Sequence, residues 1–81
     1  MHSAQICVRL RARPGDLLAC EGSGTLLQLT AVGEREVLAK GLAEKGFRFS
    51  APVETLWTLA GRDWKKVSAE QAEGLVREGL G

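Results

Sequence analysis

The sequence holds no tyrosine, no asparagine, one histidine, two cysteines, two prolines and only four aromatic residues. Each scarcity removes a class of chemistry. His2 alone, at a terminus expected to fray, excludes His-based nucleophilic triads. Cys7 and Cys20 are too few for a disulfide framework and sit in no CxxC or Cys/His spacing, which makes them poor metal ligands. The GxGxxG, Walker and HExxH patterns are missing, and Gly22-Ser23-Gly24 reads as a hairpin tip because no helix follows it to cradle a phosphate. No catalytic residue, cofactor site or metal site is therefore expected. No apolar run approaches about 18 residues and no basic leader precedes a hydrophobic stretch, so the expectation is a soluble cytoplasmic protein without membrane contact. The net charge of +1 provides no overall field for a polyanion. The lack of asparagine, with frequent arginine, glutamate, leucine and alanine, gives a thermophile-like composition.

What is present fits one α+β domain over residues 1–81. Hydrophobic residues make up 44% and charged residues 26% of the chain. A domain this small hides only about 60% of the surface that its unfolded chain exposes. Stabilisation by a partner or a second copy is expected for that reason.

In the first half, Ala4 to Arg13 alternates, with Ile6, Val8, Leu10 and Ala12 on one side and Arg9, Arg11 and Arg13 on the other, the pattern of a half-buried strand. Pro14-Gly15 supplies a type II turn. Leu17 to Glu21 and Thr25 to Val32 follow as strands around a three-residue loop at Gly22-Ser23-Gly24. This register pairs Leu17 with Leu29 and Ala19 with Leu27 on the inner face, and leaves Leu18, Cys20 and Leu26 on the outer face. Gly33 to Lys45 reads as a helix stopped by Gly46, with Glu36, Lys40 and Glu44 as a wet-side ladder. Phe47-Arg48-Phe49 reads as a short strand with both phenylalanines inward, ending before Pro52.

In the second half, Glu54 to Ala60 and Asp63 to Val67 form a hairpin about Gly61-Arg62, which places Trp57 and Trp64 on one face and sets Trp57 opposite Lys66. The other reading of Pro52 to Ala60 is a short helix closed by Gly61. Ser68 and Gln71 make a capping box, and Ala69, Ala72, Leu75, Val76 and Leu80 form the apolar stripe of a final helix. The predicted architecture is an antiparallel sheet of five or six strands with two helices packed on one face, in the order β-β-β-α-β-β-β-α.

The stretch Arg13-Pro14-Gly15-Asp16-Leu17-Leu18, with Gly24 and Leu27-Gln28-Leu29, resembles the PGD-containing hairpin of AbrB-type swapped-hairpin transcription regulators. The likeness covers less than a quarter of the chain. The strand and short basic helix that precede the hairpin in that family have no counterpart here, so it implies a hairpin and no DNA-binding surface.

Two surfaces stand out for function. Arg9, Arg11 and Arg13 at every second position would lie about 7 Å apart on a strand, close to phosphate spacing, with Arg48 and Lys65 extending the set. They are either a nucleic-acid surface or the solvated face of a sheet; no aromatics interleave with them, as single-strand binding usually requires. Leu18, Leu26 and Cys20 on that face call for cover by a subunit or by a packed helix. Trp57 and Trp64 are either core or an aromatic recognition patch. The expected role is a small non-enzymatic interaction module, a homodimer or a protein-bound subunit that buries the outer face of the first three strands on a copy of itself or a partner, with a nucleic-acid-binding accessory protein as the alternative.

Overall fold

The computed structural model describes residues 1–45 and 47–80, arranged as α1 (Ser3–Leu10), β1 (Leu17–Cys20), β2 (Thr25–Val32), β3 (Val37–Glu44), β4 (Phe47–Arg48), β5 (Glu54–Trp57), β6 (Lys65–Val67) and α2 (Ala69–Leu80). Six antiparallel strands and two helices make the expected α+β class. The element order differs at two places, where a predicted strand is a helix and a predicted helix is a strand. Gly46, read as a helix stop, and the side chain of Leu80 lie outside the described residues.

The first difference is α1, which replaces the strand over Ala4 to Arg13. The helix starts at a capping box made by the terminus expected to fray. The Gln5 backbone N–H donates to His2 Nδ1 at 3.2 Å, and the His2 backbone N–H donates to Gln5 Oε1 at 2.9 Å. It ends in a Schellman motif: the Ala12 N–H donates to the Cys7 carbonyl at 2.9 Å and the Arg11 N–H to the Val8 carbonyl at 3.1 Å. Arg11 takes the left-handed conformation that this motif requires, at φ 56°. Ser3, Ala4 and Cys7 are buried and Ile6 and Leu10 half-buried, which is a helical face. The even-numbered apolar residues fit a period of two, but residues 3, 6, 7 and 10 fit the helical spacing as well, and Val8 is left in solvent.

β1 and β2 form the expected hairpin, but one residue out of register. Leu18 faces Leu27 and Ala19 faces Leu26, across a loop of four residues where three are predicted. A slip of one residue exchanges the faces of a strand. Leu18 and Cys20 therefore point into the main core with Leu27 and Leu29, and Leu17 and Ala19 point the other way. The Pro14-Gly15 turn forms, with the Asp16 N–H donating to the Arg13 carbonyl at 2.9 Å and Gly15 at φ 98°. It joins α1 to β1, so the hairpin implied by the PGD resemblance does not form around it.

The second difference is β3, which replaces the helix over Gly33 to Lys45. Val37, Ala39, Gly41 and Ala43 are buried while the residues between them are more open, a period of two. Glutamate, leucine, alanine and lysine favour helix locally, but six residue pairs with β2 and four with β5 outweigh that preference. Gly41 has a packing role: a Cβ there would come within 3.0 Å of Trp57 Cζ2 and 3.3 Å of Phe49 Cε2.

The sheet runs β4-β3-β2-β1-β6, and β5 shares the outer edge of β3 with β4. The turn at Gly61 forms, at φ 85°, but its two arms go to different neighbours: β5 pairs with β3 and β6 with β1. Trp57 thus faces Val37, and Lys66 Nζ donates to the Arg11 carbonyl at 3.3 Å. Ser68 and Gln71 cap α2 as read from the sequence, at 2.9 and 3.1 Å.

The two helices lie on opposite faces of the sheet, not on one. Cys7 of α1 joins Leu18, Cys20, Leu27, Leu29, Val37, Ala39, Leu59 and Trp64. Ala72 and Val76 of α2 join Ala19, Leu26, Ala43 and Val67. β1 and the start of β2 are apolar at consecutive positions, so both of their faces need cover. α1 is tied down by Ser3, whose hydroxyl donates to the Trp57 carbonyl at 3.2 Å and accepts from the Leu59 N–H at 2.9 Å.

Two substitutions probe α1. Arg11→Gly removes the left-handed penalty and stabilises the protein by about 0.5–1 kcal/mol in urea unfolding; glycine in a strand at this position would destabilise instead. Ser3→Ala leaves the buried Leu59 N–H without its acceptor and costs about 1–3 kcal/mol in the same assay.

Candidate functional site

The outer edge of β3 is covered in two instalments. Phe47 and Arg48 pair with Glu44 and Ala43, and the Phe49 N–H donates to the Leu42 carbonyl at 3.0 Å. Pro52 cannot donate to a ladder, and the chain leaves the sheet over residues 50–53 before returning as β5. Phe49 and Trp57 then meet over Gly41, and a shallow groove of about 320 Å³ opens between Phe49, Pro52, Val53, Thr55 and Trp57.

This flank is unusually apolar for a surface. Phe47 is 70% exposed, Val53 67%, Leu56 63% and Phe49 41%. Within the flank the Trp57 Nε1 is buried and has no acceptor among the described residues. β5 pairs only with β3 among the described strands, so its other edge is free.

The sequence reading missed these residues. It placed both phenylalanines inward, but β4 is only two residues long and both rings are open to water. The available signal was two short apolar runs split by Pro52, the mark of an interrupted edge strand.

The residues singled out from the sequence are dispersed. Arg9 lies on α1, Arg11 is its left-handed terminus and Arg13 sits in the following turn, where its N–H donates to Asp16 Oδ2 at 2.8 Å. All three are exposed, but they do not form the stripe that a strand would give, because helical residues two apart project about 200° apart. Arg48 on β4 pairs with Glu73 at 3.6 Å, and Lys65 on β6 pairs with Glu21. Leu18 is fully buried and Leu26 is buried with α2, so neither forms an outer docking face. Trp64 is core, its Nε1 donating to the Leu59 carbonyl at 3.0 Å, and Trp57 is half-buried beside the groove, so the two indoles make no joint patch.

Both cysteines are free and buried. Burial pushes the Cys7 thiol above its ordinary value by penalising the thiolate. Among the described residues no group of three His, Cys, Asp or Glu side chains could hold a metal ion. No helix among them is long and apolar enough to cross a membrane.

The folded chain keeps the Cys7 proton at pH values where the unfolded chain has lost it. Its contribution to stability is therefore complete below the ordinary thiol value of about 8.5 and declines as pH rises toward the raised one. Chemical denaturation across that range should show an alkaline decline that Cys7→Ala flattens.

No curated protein and no solved structure matches the chain. The sequence profile of the family described as "Domain of unknown function (DUF7241)" matches residues 1–69, which take in α1 and all six strands and end at the first residue of α2. The chain belongs to that family.

Proposed function

We propose that the protein is a small non-enzymatic interaction module that forms a homodimer across the β4–β5 flank. The observation that carries this reading is the set of four large apolar side chains, Phe47, Phe49, Val53 and Leu56, exposed along one sheet edge. Covering each contributes of order 1–2 kcal/mol. A two-fold contact counts every side chain twice, enough to offset an association cost of about 4–15 kcal/mol. An antiparallel edge strand is self-complementary under a two-fold axis, so β5 against a second β5 satisfies the free edge. A net charge of +1 leaves two copies with little mutual repulsion.

The non-enzymatic part of the reading is supported by the use of the only histidine as a helix cap. Two free buried thiols fit a reducing cytoplasm. The nucleic-acid alternative needed Arg9, Arg11, Arg13, Arg48 and Lys65 as unpaired cations on one face. Three of them sit on a helix end and a turn, and two are ion-paired, which favours the dimer.

Sedimentation equilibrium over a range of concentrations should give a mass rising from 8.7 kDa to twice that value. Leu56→Glu and Val53→Lys, both at exposed positions, should weaken association at least tenfold without lowering the melting temperature. A wild-type chain that stays monomeric at high concentration, or variants that dimerise as well as it does, would overturn the proposal.

A further inference from the structure

Among the described residues, α2 does not seal fully against the sheet. Between them lies a cavity of about 240 Å³, with Leu17, Leu26 and Leu42 on the sheet side and Ala72 and Val76 on the helix side. Among the described residues its only charged lining groups are Arg48 of β4 and Glu73 of α2. Their pair, at 3.6 Å, has both side chains more than half exposed, so water screens it and exchange is easy. Glu73 also has a second cation within reach, Arg77 one helical turn away at 3.9 Å.

We propose that this cavity binds a medium-chain aliphatic carboxylate, with the tail between α2 and the sheet and the head on Arg48. The volume sets the length. A water-sized group occupies about 30 Å³ of liquid, so the cavity takes about eight groups of methylene size. The mouth sets the charge: Arg48 is its one lining cation, and Glu73 has a second partner in Arg77 at 3.9 Å, outside the lining, so Arg48 can turn to an incoming anion. A planar guanidinium can hold a carboxylate through two parallel hydrogen bonds. Glu73, released from Arg48, keeps Arg77. The leucine and valine walls ask for no hydrogen bond from the tail, so an alkyl chain enters without stranding a polar group.

Phe49 and Pro52 line both this cavity and the flank groove, so the Leu56→Glu chain is tested beside the wild type. A failure of the dimer then cannot be mistaken for a failure of the pocket.

The experiment is a methyl NMR titration of the full chain with sodium octanoate below its micellar range, and separately with 1-octanol as the neutral probe of matching length. Expected are saturable shifts at the Leu26, Leu42 and Val76 methyls, with octanoate about two- to fivefold tighter than octanol, the range of an exposed ion pair. Arg48→Gln, at an exposed position, should bring octanoate down to the affinity of octanol, and Glu73→Gln should tighten octanoate. Absence of saturable shifts at those methyls overturns the proposal. So does equal binding of the two probes, or octanoate binding unchanged by Arg48→Gln.

Discussion

The structure depends on one constraint: one face of the sheet is apolar, and α1 has to cover it. Cys7 enters the cluster built by Leu18, Leu27, Leu29, Val37 and Trp64. Ser3 locks the helix in place by satisfying two backbone groups that flank the end of β5. An apolar cluster of this size cannot be left wet, and a buried N–H left unpaired costs about 1–3 kcal/mol, more than a typical hydrogen bond contributes net. The helix, its capping box and its left-handed end at Arg11 follow from that requirement.

The surfaces follow in turn. Once residues 3–10 are helical, the arginines no longer line up, and the first three elements have no mixed arginine-leucine face to offer. Because β5 pairs with β3 and not with β6, the sheet keeps its free edge on the β4–β5 side, and the apolar residues of residues 47–57 are carried there. The double-sided apolar character of β1 and β2 calls for a second layer, which α2 supplies incompletely. The cavity and the flank are thus both consequences of how few residues are available to cover a six-stranded sheet.

Features set by neighbouring residues were legible in the sequence. The Ser68–Gln71 cap, the turns at Pro14-Gly15 and Gly61, the span of β2 and the α+β class could be read from local chemistry. What depended on distant pairing was not. Residues 33–45 are helix formers by composition, and only the ladder with β2 makes them a strand. Residues 4–13 fit both periods, and the deciding cap came from His2, which had been read as frayed. The one-residue register of the β1–β2 hairpin moved Leu18 and Cys20 to the face of Leu27 and Leu29, and Leu26 stays on the opposite face under α2. Of the candidate site, Arg48 was named for a different role, and Phe47, Phe49, Val53 and Leu56 were missed because their exposure is set by sheet order, whose one local sign is Pro52 between two short apolar runs.

The fold and its surfaces rest on the helical state of residues 3–10. The ¹³Cα secondary chemical shifts of the intact protein test it directly. Positive deviations running from Ser3 to Leu10, broken at Arg11, are the predicted result. Negative, strand-like deviations across the same residues would contradict it, and would restore the arginine stripe that the helix abolishes.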